Sequence, residues 1–591
     1  MTNRKLDSLS RLLITSITLL VCACQIPNQI YRPALNDPAY APPFRSGVMP
    51  PSVISVAEAP KLPTPKSSSW PPHPEQPCQM GNLIERPCLA FIEFDDFGEV
   101  WQRNSSGRPS QLQKTIDLIK AAKEQDPRGQ PLILTFVHGW KHNAKEGKTA
   151  TDEDSNVVAL QSVLNELHDN DYSGHVVIGI YIAWRGGIIS PYWPVAQQFT
   201  LYDRGAAAHR VGNTSLTEAL IEISDTAKAT GDCEPRDSCS QSPTCTGEAA
   251  TNSAGSGQPN YGPCRPFLLF VGHSFGALVL ERALLQETIA RMEAEYNNAS
   301  ALRAQQRNLA PAEQPTSASQ GEPVSQSLSS EPSPLAPSSG NSEQPIPISP
   351  IADLVIYVNS AAAALESKQL LDYLAFSGFT YRPDKIATTG GPPANTDQPL
   401  FLSITSEADL ATAVLFKIGF APPLLYQKLN GSIRSNTPSN RQPPYTRACF
   451  DPTGDDPSLS THRILNDVPQ SSYYWTTTPH LSANWSHVVT ETQIGSGQSP
   501  ADPPYCVPGP GGNGTYTTCH IGSYIYTVNS APGRCNGTPY WVIQVQKELI
   551  PDHDTIFTGR LIAFLKAFIP TKQTMEQNAR PMLTLPAVPV Q

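Results

Sequence analysis

Short, almost continuous apolar runs recur along the chain: Pro131–Val137, Val176–Trp184, Phe267–Val271, Ile351–Val358, Pro399–Thr405 and Tyr540–Val545. Runs of this length predict strands covered on both faces. The segments between them repeat apolar residues at helical spacing. Gln111–Lys123 is helix-like. In Ser155–His168 the apolar positions are Val158, Leu160, Val163, Leu164 and Leu167. Further helices are predicted over Tyr202–Ala229, from Ala277 to about Tyr296, and over Ser360–Leu371. In a closing helix, Ile556–Phe568, residues Phe557, Leu561, Phe564, Leu565 and Phe568 make one apolar face. Strand and helix alternate from residue 131 onward. That order predicts an α/β fold with a doubly wound, mostly parallel sheet. Ahead of it, Leu89–Phe94 and Glu99–Trp101 flank Asp95-Asp96-Phe97-Gly98 and predict a β-hairpin.

Three polar segments interrupt the pattern, and each reads as an insertion. Residues 230–264 carry four cysteines. Residues 303–350 are dense in Ser, Pro, Gln and Glu, and are expected to be disordered because they hold too little apolar surface to fold. Residues 417–539 carry four more cysteines. Residues 25–87 are rich in Pro, Ser and Ala and read as an irregular tether. The domain is therefore expected over 88–570, with a tail at 571–591. Proline is 59 of 591 residues, roughly twice the usual share, and its clustering marks loops. The net charge of −10 disfavours nucleic acid as a partner.

The N-terminus predicts export. Arg4, Lys5 and Arg11 precede a mostly apolar run from Leu12 to Ala23, twelve residues long. That is too short to span a bilayer, which needs about 20, but suits a signal segment. The run ends Val21-Cys22-Ala23-Cys24 and resembles the bacterial lipoprotein signal. The resemblance implies a signal peptide over 1–24 and lipidation of Cys24. It also implies a cell-envelope location, with the outer membrane favoured because Gln25 rather than Asp follows the cysteine. Ten cysteines lie beyond the signal and none forms a C-x-x-C pair, so disulfides read better than zinc. Cys78 with Cys88 is the one pairing expected. Each group of four leaves three connectivities open.

The chemistry centres on Gly272-His273-Ser274-Phe275-Gly276, a G-x-S-x-G between the apolar run Phe267–Val271 and a helix-permissive stretch. In that setting the glycines admit a sharp strand-to-helix turn, and the serine hydroxyl is exposed at the helix N-terminus. Strand C-terminal ends of a parallel sheet share one rim. His138-Gly139-Trp140, Ser274, Thr405–Asp409 and Pro551–Asp554 are placed there together.

With this elbow and an H-G-x after an early strand, the chain resembles the α/β-hydrolase fold, nearest to esterase- and lipase-like bacterial members. The resemblance implies a triad in the order Ser, acid, His. Ser274 is the expected nucleophile. Asp409, a few residues past the strand Pro399–Thr405, is the expected acid, with Glu407 as the alternative. His553 is the expected base, since it alone among the later histidines lies between a strand and a helix. Backbone N–H groups of Phe275 and Trp140 would form the oxyanion hole. His138 and His273 read as loop-shaping and packing residues. Trp140, Trp184, Arg185 and Tyr473-Tyr474-Trp475 remain open between pocket and core.

The expected activity is that of a serine hydrolase cleaving carboxylic esters, including lipid esters. Two alternatives stand: a peptidase or thioesterase using the same triad, and an anchored α/β-hydrolase-fold module that binds without catalysis. No metal or organic cofactor is implied. The expected partners are an ester substrate and the membrane holding the lipid anchor.

Overall fold

The computed structural model describes residues 29–32, 81–101, 110–126, 130–145, 154–188, 200–229, 266–309, 350–362, 399–406, 408–409, 487–494, 501–508, 515–522, 524–530 and 539–569, with a few short pieces between them. The segment 1–24 with Cys24, the insertion 230–264, Glu407, Tyr473-Tyr474-Trp475 and the tail 571–591 lie outside the described residues. So does most of the helix expected over Ser360–Leu371 and most of 303–350.

Seven parallel strands form the body of the fold: β1 (Cys88–Glu93), β2 (Leu132–Val137), β3 (Val177–Ala183), β4 (Phe267–His273), β5 (Leu354–Val358), β6 (Phe401–Ser406) and, late in the chain, Tyr540–Val545. Every residue of β1, β2, β3, β5 and β6 is buried, in keeping with their mostly apolar sequences. Four further strands, β7 (His487–Gln493), β8 (Ala501–Pro508), β9 (Thr515–Gly522) and β10 (Tyr524–Ser530), come before that last strand, which is therefore β11. The sheet order is β1-β3-β2-β4-β5-β6-β11-β7-β10-β9-β8. The chain first moves from β2 outward to β3, then crosses back past β2 to β4 and continues the other way. The reversal opens a crevice beyond the C-terminal ends of β2 and β4, the place where such sheets hold ligands.

Helices α1 (Ser110–Gln125), α2 (Ser155–Glu166), α3 (Leu201–Gly212), α4 (Ser215–Lys228), α5 (Phe275–Leu309) and α6 (Gly559–Leu565) supply the covering layers. In α1 the buried positions include Leu112, Ile116, Ile119 and Ala122, one face at helical spacing. Asp154 caps α2 through the Asn156 N–H, and Thr558 caps α6 through the Leu561 N–H. Among the described residues no helix is long and apolar enough to cross a membrane.

The structure corrects several expectations. The early hairpin is reduced to an isolated antiparallel bridge, Phe94 to Val100; β1 itself pairs in parallel with β3 and belongs to the main sheet. The helix expected over Tyr202–Ala229 is two helices. The break falls where Gly212 packs so closely on α5 that a Cβ would lie 2.6 Å from the Val279 carbonyl oxygen. The helix after the elbow runs on to Leu309, past the expected start of disorder at 303. Ala, Leu, Arg and Gln in this stretch are good helix formers even without an apolar face. The insertion 417–539 contributes β7 to β10, and β7 joins the sheet beside β11 through Ile543–His487 and Gln544–Val488.

The expected tether also changes at both ends. Leu83 is fully buried and its N–H donates to Gln125 Oε1 at 2.9 Å, so the domain includes residues ahead of 88. Further back, Tyr31 and Arg32 pack against the domain: their amides donate to the two carboxylate oxygens of Glu93 at 2.7 Å each.

Candidate active site

Ser274 sits directly after β4 and directly before α5. Its φ is +55°, a left-handed conformation that costs a non-glycine residue energy and must be held by its surroundings. Two main-chain bonds do this. The Ser274 N–H donates to the Val358 carbonyl at 3.0 Å, and the Ala361 N–H donates to the Ser274 carbonyl at 3.1 Å. The flanking glycines are sterically required. A Cβ on Gly276 would lie 2.1 Å from the Val137 carbonyl oxygen, and one on Gly272 would lie 2.6 Å from the Ala277 Cα. The elbow is therefore wedged against the end of β2.

Ser274, His553 and Asp409 come together. His553 Nε2 lies 2.7 Å from Ser274 Oγ, and His553 Nδ1 lies 2.9 Å from Asp409 Oδ1. Asp409 is fully buried. Burial by itself would push the His553 imidazole down; its hydrogen bond to Asp409, the Asp409 charge and the nearby Asp554 charge outweigh that, and the net shift is upward. A carboxylate on Nδ1 also selects the tautomer with Nε2 available to take a proton from the serine.

The histidine loop is held through its backbone. The His553 carbonyl accepts from His273 Nε2 at 2.8 Å and from Asn359 Nδ2 at 3.2 Å. Asn359 follows β5 with φ +46°, and its Oδ1 accepts from the Ser406 N–H at 3.0 Å. One side chain thus ties the end of β6, which leads to Asp409, to the loop that carries His553. Asp552 shapes that loop by accepting from the Asp554 and Thr555 amides at 3.0 and 2.8 Å. Neither Asn359 nor the partnering role of His273 was foreseen from sequence. The signals available were a polar residue just past a buried strand and a histidine beside Ser274.

The loop after β2 closes the other side of the crevice. A Cβ on Gly139 would lie 2.9 Å from the Ser274 Cβ, so this backbone runs directly against Ser274. His138 shapes it: its Nδ1 donates to the Gly139 carbonyl at 2.8 Å and its Nε2 accepts from the Trp184 N–H at 3.1 Å. Burial lowers the His138 pKa to about 4, so the ring stays neutral. Trp184 is buried, stacks on His138 and donates from Nε1 to the His138 carbonyl at 3.0 Å; it is part of the scaffold. Arg185 pairs with Asp96. Trp140 donates from Nε1 to Thr200 Oγ1 at 3.1 Å, and the Lys141 ammonium lies over its ring. Beyond it His142 Nδ1 meets Asp154 Oδ1 at 3.0 Å, which joins this loop to the start of α2.

Among the described residues one group has donor atoms close enough together for a metal ion: His273, His553 and Asp554. Both ring nitrogens of His553 are engaged by Ser274 and Asp409, and His273 Nε2 by the His553 carbonyl. Such a set suits proton transfer better than ligation. No family model, curated protein or solved structure matches the chain.

Proposed function

We propose that this protein is a serine hydrolase of the α/β-hydrolase fold that cleaves carboxylic esters through an acyl-enzyme. The observation that carries the reading is the unbroken hydrogen-bonded line Ser274 Oγ, His553 Nε2, His553 Nδ1, Asp409 Oδ1, with the serine in a strained elbow. A serine hydroxyl is a poor nucleophile at neutral pH and needs an adjacent base. His553 takes the Ser274 proton as Oγ attacks the ester carbonyl carbon. The tetrahedral oxyanion is met by backbone N–H groups of Phe275, at the start of α5, and Trp140, in the loop packed over Ser274. One such donor contributes roughly 3 kcal/mol of transition-state stabilisation. Collapse breaks the carbon–oxygen bond to the alcohol, which leaves with the proton from His553. Water, deprotonated by His553, then attacks the acyl carbon and releases the acid and free Ser274. Asp409 stays ionised throughout and stabilises the imidazolium.

The doubly wound hydrolase topology is supported by the strand order, which reverses at β2 and β4. The lipid anchor at Cys24 and an envelope location rest on the N-terminal signal described above. The test is labelling of the purified protein with a fluorophosphonate, followed by assays on short-chain, long-chain and peptide substrates. The expected result is covalent labelling of wild type, none of Ser274→Ala, and ester turnover. A folded wild type that takes no label, with or without added detergent or lipid, overturns the catalytic reading.

A further inference from the structure

The chain immediately after the proposed anchor is pinned to the catalytic domain. Arg32 is buried. Its main-chain N–H and that of Tyr31 donate to Glu93 at the end of β1, and its carbonyl accepts from Gln111 Nε2 at 2.7 Å. Its guanidinium lies over the Phe91 ring, 4.4 Å from the centroid. Its Nε donates at 2.9 Å to the carbonyl of Ala144, in the same loop that carries Trp140. The clip therefore sits at the C-terminal ends of the parallel strands, on the rim that carries Ser274. From Cys24 to Gln29, where the described chain begins, there are five residues. Fully extended, they reach at most about 18 Å. A domain clipped at Tyr31–Arg32 has no long leash on that side, whatever course the chain takes after Arg32.

The same rim carries an unusual surface. Among the described residues two large apolar side chains are strongly exposed, Phe97 at 68% and Tyr202 at 46%. Phe97 is at the tip of the turn after β1, and that turn is fastened to the rim by Asp96, which pairs with Arg185 and Arg204. Tyr202 is in the first turn of α3, two residues from Thr200, the partner of Trp140 Nε1. Aromatic side chains suit the boundary between headgroups and acyl chains, and single residues on a firmly held turn enter it without refolding.

From the short anchor and the exposed aromatic pair we infer that the active-site rim docks on the bilayer that holds the protein's own lipid anchor, with Phe97 and Tyr202 entering the interface. The ester is then drawn from that bilayer. This inference rests on the anchor proposed at Cys24 and deepens the hydrolase reading.

The experiment uses the full mature chain, acylated and reconstituted on vesicles of phosphatidylethanolamine and phosphatidylglycerol. Its amide hydrogen exchange is compared with that of the same chain carrying Cys24→Ser, free in solution. The expected result is slower exchange, by threefold or more, at residues 95–99 and 201–204 on vesicles. Equal exchange at both segments overturns the docking, and so does a mature Cys24 that mass spectrometry finds unacylated. In the same vesicles Phe97→Asp/Tyr202→Asp is expected to lose at least tenfold in hydrolysis of a fluorogenic phospholipid ester, and less than twofold on a water-soluble ester. Parent-like phospholipid turnover by the double variant overturns the inference. A parent that cleaves only the soluble ester overturns the bilayer-borne substrate. A parent that cleaves neither counts against the hydrolase reading, and the exchange result alone then decides the docking.

Discussion

The Asn359 side chain donates to the main-chain carbonyl of His553 at 3.2 Å while accepting from the Ser406 N–H at 3.0 Å. Two segments far apart in sequence, one leading to the proposed acid and one carrying the proposed base, are thereby registered by a single amide group. The Asn359→Gly variant keeps the left-handed backbone and removes only the amide. Leaving the buried Ser406 N–H without its acceptor costs about 1–3 kcal/mol. The expected outcome is a lower melting temperature and kcat reduced tenfold or more with KM little changed, because His553 is no longer held in line. Steady-state kinetics on a soluble ester beside thermal unfolding checks this; an unchanged kcat would show that the clamp is dispensable.

Asp554 is expected to contribute to the position of the acid limb of the pH profile. His553 must be neutral to act as a base, and the Asp554 charge is one of the influences that raise its pKa. Replacing Asp554 by Asn should move the acid limb of kcat/KM to lower pH. An interaction between partly solvated charges contributes about 0.2–1 kcal/mol, which corresponds to at most about 0.7 of a pH unit. A shift to higher pH would contradict this account.

His138 makes stability depend on pH. Its folded pKa is about 4, below the ordinary value near 6.5, so between those values the unfolded chain binds the extra proton. The stability from the neutral, buried ring is complete above about pH 6.5 and is lost as pH falls toward 4, by about 3 kcal/mol in all. Denaturant melts at pH 7.0, 5.5 and 4.5 should show that loss, and in His138→Gln the slope over this range should be visibly shallower. Equal slopes in both proteins would rule out His138 as the source.

The backbone register pairs Cys506 with Cys519 across β8 and β9. Residues directly opposite in an antiparallel pair have Cα atoms about 4.5–5.5 Å apart, within the range a disulfide bridges. A Cys506–Cys519 bond is the expected outcome, leaving Cys449 with Cys535 as the second pair of that group. Non-reducing peptide mapping decides among the three connectivities.

Much of this arrangement was legible in the chain because its physical causes are local. Strands buried on both faces must be almost wholly apolar, and Leu132–Val137, with Thr135 its one polar residue, and Phe267–Val271 are. The elbow announces itself because Gly276 touches the Val137 carbonyl so closely that no other residue fits. Asn359 was invisible because both of its partners are supplied by distant segments, and nothing beside it in sequence calls for them. The same holds for Arg32, a charged residue in a Pro-rich stretch whose burial depends on Glu93, Gln111 and Phe91. β1 was misread because Gly98 makes a genuine turn, while the partner of the strand, β3, is contributed from far downstream. The strands at 487–530 were obscured by Pro and Gly between them, although Val488-Val489-Thr490 and Tyr524-Ile525-Tyr526 carry the β-branched and aromatic residues of a sheet.

His553 follows Ser274 by 279 residues, and it stands just past β11, the strand that pairs with β6. Under the proposed mechanism, synthesis of the chain is therefore its own safety catch. A nascent polypeptide that has completed the elbow still carries an inert serine, and reactivity arrives only when the last strand of the sheet is in place.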